Sequence, residues 1–95
     1  MPYSLALSSG LKRAGWKVKI RDRERVEPPH VTIMQKTRSW RFGLRDTRFL
    51  DHEPDPREVP PEVVAEVLAH LEALRGAWDE LHPENPVFGD VPGEP

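Results

Sequence analysis

The chain has 95 residues, of which 37% are hydrophobic and 32% charged, the make-up of one small soluble domain and too little for a large cofactor-binding enzyme. It has no cysteine, which excludes disulfide frameworks, thiolate metal sites and cysteine nucleophiles. The net charge of −2 hides an asymmetry: Met1 to Leu50 carry 12 Lys/Arg against 4 carboxylates, net +8, whereas Asp51 to Pro95 carry 2 Arg against 12 carboxylates, net −10.

In chain order, Leu7, Leu11 and Ala14 recur at helical spacing, and Gly15 stands where a left-handed cap falls, so Tyr3 to Ala14 predicts a short helix. Ser8, Ser9 and Gly10 are poor helix formers, and Tyr3 to Leu7 also suits an extended segment. From Trp16 the period becomes two, with Trp16, Val18 and Ile20 alternating with Lys17, Lys19 and Arg21, the pattern of a half-buried strand. A charged link, Asp22 to Glu27, and Pro28-Pro29 precede a second strand on Val31 and Ile33, with the prolines at its start because they cannot donate to a ladder. A turn at Lys36 to Arg38 leads to a third strand on Trp40, Phe42 and Leu44, which Thr47 to Leu50 either extends or follows with a short fourth.

The link Asp51 to Pro60 is proline-rich and irregular. After it, Pro61 and Glu62 suit the first turn of a helix, and Val64, Val67, Leu68, Leu71, Leu74, Trp78 and Leu81 continue it for about five turns. The predicted fold is α+β: helix, three-stranded antiparallel sheet, helix, with both helices on one face of the sheet. Residues 1–83 form the single domain, and 84–95 a partly disordered acidic tail containing Pro and Gly. No run reaches membrane-span length and the start lacks the regions of a secretion signal, so the expected location is cytoplasmic, without membrane association.

Function is sought on the sheet face left to water. Lys17, Lys19, Arg21, Lys36, Arg41 and Arg45 fall on it with His30, Thr32 and Met34, and no acidic residue shares it in this register. Alternate strand residues stand roughly 6.6 Å apart, comparable to the phosphate spacing of a nucleic-acid strand, so these six cations are the candidate nucleic-acid contacts. A solvated face that guards against edge aggregation is the plain alternative. His30 opens a strand among cations, which favour its neutral form; such an imidazole could take the proton of an RNA 2′-hydroxyl while Lys36, Arg41 or Arg45 steadies the phosphorane. That chemistry needs no metal or other cofactor. Asp51, His52, Glu53 and Asp55 lack the spacing of a metal site, His70 reads as solvated, and His82 as a helix-end residue facing the negative dipole end.

The run Leu11-Lys12-Arg13-Ala14-Gly15-Trp16, the basic strand, a histidine opening the next strand and a closing helix together resemble the HicA family of bacterial toxins over Leu11 to about Leu74. That resemblance implies a double-stranded-RNA-binding-type fold, messenger-RNA interferase activity with His30 as the catalytic histidine, and a partner antitoxin. Where that family has Gly-Ser before its histidine, this chain has Pro28-Pro29. Pro28-Pro29-His30-Val31, with Pro60-Pro61 and Trp78, is also similar to a family of small uncharacterised bacterial proteins with a Pro-Pro-His motif. The resulting expectation is an RNA-directed toxin-like protein of a toxin–antitoxin type pair, in its enzymatic form a metal-independent endoribonuclease. Two other readings stay open: a non-catalytic RNA- or DNA-binding module using the same cations, and a protein-interaction module built on the acidic helix and tail.

Overall fold

The sheet has four strands, one more than the sequence predicts. The computed structural model describes residues 3–21 and 28–88, so the charged link 22–27 and the end of the tail, 89–95, lie outside the described residues. The order is β1 (Tyr3–Leu5), α1 (Ser9–Arg13), β2 (Trp16–Ile20), β3 (His30–Gln35), β4 (Arg38–Gly43), a single 3-10 turn at Pro56–Glu58, α2 (Pro61–Ala69) and α3 (Leu71–Leu81). Strands β1 to β4 lie side by side in chain order and every pair is antiparallel.

The predicted first helix shrinks to the five residues Ser9–Arg13 because Tyr3–Leu5 pairs with β2, Tyr3 opposite Ile20 and Leu5 opposite Val18. Pairing satisfies backbone groups at the β2 edge that a helix would have left without a ladder. Gly15 takes φ +92°, the left-handed conformation that ends α1 and turns the chain into β2. The β3–β4 loop is only Lys36-Thr37, and Lys36 sits at φ 58°, as two-residue hairpin loops require of a central residue.

Beyond β4 the chain returns along its outer edge. Phe49 bridges Phe42, Gly43 N–H donates to the Arg48 carbonyl at 2.7 Å, and Leu50 N–H donates to the Arg41 carbonyl at 2.8 Å. Gly43 is required at this return: a Cβ there would stand 2.8 Å from Asp46 Oδ1 and 3.2 Å from the Arg48 carbonyl oxygen. Gly43→Ala is therefore expected to cost about 1–3 kcal/mol, read as a lowered urea midpoint. A midpoint equal to that of the parent chain would show that the return gives way freely.

The long closing helix is broken at His70, which lies at φ −114°, ψ 23°. Its N–H is shared between the Glu66 and Val67 carbonyls, and its ring Nδ1 donates to the same Glu66 oxygen at 2.9 Å. The predicted apolar stripe faces the core except at Leu68, with Leu71 and Leu81 packed partly against it. Val63, Val67, Leu74 and Trp78 are buried, Val64 only partly so, and Leu68 is 46% exposed. These side chains close one core with Trp16, Val18, Ile20, Val31, Ile33, Trp40, Phe42 and Leu44. Trp16 and Trp40 pack at 5.7 Å between ring centroids, and Trp40 Nε1 donates to the Pro54 carbonyl, which ties the proline-rich link to the sheet.

The predicted tail is docked as far as Phe88. Trp78 Nε1 donates to the Asn85 carbonyl, Val87 N–H donates to Asp79 Oδ1 at 2.9 Å, and Val87 is buried. Among the described residues, no helix is long and apolar enough to cross a membrane.

Candidate nucleic-acid interface

The strand register fixes which side chains share the face opposite the core. Ser4, Lys19, Thr32 and Arg41 form one row across all four strands, and Lys17, Met34 and Ser39 form the next. The predicted cations then divide into two groups. Lys17 and Arg21 are exposed, Lys19 is partly so, and Lys36 is exposed in the hairpin loop beyond Gln35, opposite the start of β2. Arg21 reaches over to Met34 Sδ at 3.6 Å.

Arg41 and Arg45 make structural contacts that set them apart from the other four predicted cations. The Arg41 guanidinium forms a two-pronged ion pair with Asp51, with Nη2 to Oδ1 at 2.7 Å, and its backbone N–H donates to the same carboxylate at 2.8 Å. Strand pairing on the β4 edge stops at Leu50, and Asp51 supplies the next acceptor there. An acidic residue thus stands on the face that the strand register alone left free of one. Arg45 donates to the carbonyls of Val87 and Pro86 and so pins the tail rather than facing the strand row.

His30 is 3% exposed and Thr32 6%, so this end of the face is closed. The His30 ring lies 5.5 Å from that of Trp78, and Nδ1 is 2.8 Å from the Pro28 carbonyl oxygen. A carbonyl only accepts, so Nδ1 carries the proton in this bond and the tautomer is set by the Pro-Pro turn. On the same indole, His82 stacks at 4.0 Å, and its Nε2 donates to the Arg21 carbonyl at 2.7 Å. His82 is the C-cap of α3, at the helix end as expected, but its side chain is only 2% exposed and joins α3 to the end of β2 rather than standing in solvent. Sequence reasoning missed this role and that of Asp51. The faint signal for Asp51 was the short extra strand at Thr47 to Leu50, which sets the carboxylate beside Arg41 once it pairs with β4.

The hydrogen bonds from Arg41 hold the Asp51 carboxyl below its ordinary value of 3.8; burial opposes this, and charge on Arg41 and His30 adds to it. A depressed folded-state pKa gives stability that is present above pH 3.8 and is lost as pH falls through the folded value. Asp51→Asn is accordingly expected to cost about 1 kcal/mol at pH 7, since the pair is partly solvated. That difference should vanish at pH values below the folded pKa, which urea titrations at neutral and strongly acidic pH would read. A constant difference across that range would rule the ion pair out as its source. Asp55 is paired with Arg57, and no group of three or more His, Asp or Glu among the described residues could hold a metal ion.

Comparison with known protein families, characterised proteins and solved structures finds no match to this chain.

Proposed function

We propose that the chain is an RNA-directed, toxin-like protein that holds an RNA backbone along β2 through Lys17, Lys19 and Arg21, with Lys36 prolonging the row past Lys17. The supporting observation is that none of these four cations is ion-paired among the described residues, while the neighbouring Arg38 and Arg41 are, with Glu58 and Asp51. Lys17 and Lys19, roughly 6.6 Å apart on one face of β2, and Arg21 just past its end can each meet a successive phosphate. A cognate antitoxin-like partner belongs to the same proposal.

Binding of a fluorescent single-stranded RNA by the full chain tests it. Affinity should fall steeply with salt, and salt-independent or undetectable binding would overturn it.

A second reading, metal-independent cleavage with His30 as base, is favoured by the tautomer that the Pro28 carbonyl imposes. The burial of His30 favours binding without catalysis over this reading. Incubating RNA with the protein in EDTA, beside His30→Asn, separates the two, because asparagine retains a donor for the Pro28 carbonyl but cannot act as a base. Cleavage lost in His30→Asn supports the enzyme; no cleavage, or equal cleavage by both proteins, leaves binding alone.

A further inference from the structure

The outward side of α2 is apolar. Of its nine residues only Glu62 and Glu66 are charged. Val63 and Val67 fill the core, while Pro61, Ala65 and Ala69 are exposed and Leu68 is 46% exposed. Pro61, Ala65 and Leu68 follow one another at helical spacing, so they form a stripe along two turns, about 10.5 Å, with the partly buried Val64 beside it. A surface helix turns charge to water, as α3 does with Glu72, Asp79 and Glu80. On α2 that side carries a large aliphatic side chain instead, the mark of a surface that another element covers.

The charges around the stripe select what covers it. No Lys or Arg lies between Arg57 and Arg75, and the carboxylates Glu62 and Glu72, before and after Leu68 in the chain, are exposed. Glu66, two positions from Leu68 and so on another side of the helix, accepts the Ser8 N–H at 3.1 Å and is occupied there. A second copy laid on this stripe would set carboxylates against carboxylates with no cation to offset them. A helix that is apolar along one side and carries Lys or Arg at its flanks meets both features. Its anchors at i, i+3/i+4 and i+7 match the two-turn length of the stripe, and the short Ala65 and Ala69 let it approach Leu68 closely.

We propose that the stripe of Pro61, Ala65 and Leu68 on α2 is a docking surface for an amphipathic helix of another protein, apolar on one side and bordered by Lys or Arg. The proposal gives the antitoxin-like partner a place and a chemistry, and rests on the RNA reading only for that partner's identity. Val63 and Val67 seat α2 on the core side of the sheet, and Lys17 and Lys19 stand on the other, so the docked helix leaves the β2 row open to RNA.

A fluorescent helical peptide of about 14 residues, built of Leu and Lys in that pattern, tests it on the full chain beside a counterpart of Leu and Glu. The Lys peptide should bind about tenfold tighter than the Glu peptide, and Leu68→Gln should weaken it by about tenfold, the loss of one central anchor. Glu62→Lys should weaken it by about threefold, the effect of one exposed charge. RNA affinity should be the same in Leu68→Gln as in the parent chain. Equal binding of the two peptides, binding of neither, or Lys-peptide binding that Leu68→Gln leaves intact overturns the docking surface, and RNA binding in the same chain would still stand. A chain that sediments as a dimer until Leu68→Gln makes it a monomer puts a second copy on the stripe and overturns the cationic partner. Lys-peptide binding through Leu68 in a chain that binds no RNA upholds the surface while the RNA reading fails.

Discussion

Trp78→Ala should lower the stability of the domain by about 3–5 kcal/mol, the usual cost of truncating a large buried aromatic side chain. At roughly 0.05–0.15 kcal/mol per residue, a chain of 95 residues has about 5–14 kcal/mol in total, so this single change removes a large part of it. Trp78 is fully buried, packs against His30 and His82 and donates to the Asn85 carbonyl. It therefore joins β3, the end of α3 and the docked tail at one point. Thermal unfolding should begin about 15–30 °C lower, given the shift per kcal/mol of a domain this size. Trp78→Phe separates packing from the indole hydrogen bond: it keeps most of the apolar contact and should cost only about 1–2 kcal/mol. A loss below about 1 kcal/mol in Trp78→Ala would mean that the three elements are held together elsewhere.

Replacing Lys17, Lys19 and Arg21 together by alanine should reduce RNA affinity at low salt by about a hundredfold and flatten its salt dependence. Three phosphate contacts to a single strand give a slope near 2 in log affinity against log salt, or about a twentyfold loss between 50 and 200 mM. The triple variant should lose most of that slope. Its fold should survive, because these side chains lie outside the core and none of them is in an ion pair among the described residues. Arg41→Ala is the informative comparison. Its charge is already matched by Asp51, so it should weaken RNA binding far less while lowering stability. An equal loss of affinity from Arg41→Ala would return that arginine to the binding face and count against the division of cations drawn from the structure.

Local pattern made much of the fold legible. Trp16, Val18 and Ile20 alternate with Lys17 and Lys19 strictly enough to fix both the strand and its buried side, and the structure buries the first set. Tyr3 to Leu5 offers only three residues of the same alternation, and the decision between helix and strand there is made by β2, whose edge it pairs. The helix after Pro61 was readable as helical, with most of its buried side, but the break in it was not. At the break the His70 ring and its N–H both reach the Glu66 carbonyl, and nothing in the spacing of Val64, Val67 and Leu68 records it.

The candidate site divides in the same way. The basic row on β2 follows from sequence alone, because residues two apart on a strand share a face whatever the rest of the chain does. Which cations remain unpaired was decided by contacts distant in sequence: Asp51 reaches Arg41 across 10 positions, and the Val87 carbonyl reaches Arg45 across 42. His30 looked reactive in its local setting of prolines and cations, and its burial against Trp78 comes from a helix 48 positions later. Periodicity thus determined β2, β3 and β4, the last helical region and the sign of the β2 face, since each depends on neighbours along the chain. Only the tertiary structure decided which charges are neutralised and which histidines are enclosed, because ion pairing and desolvation act between elements that the sequence places far apart.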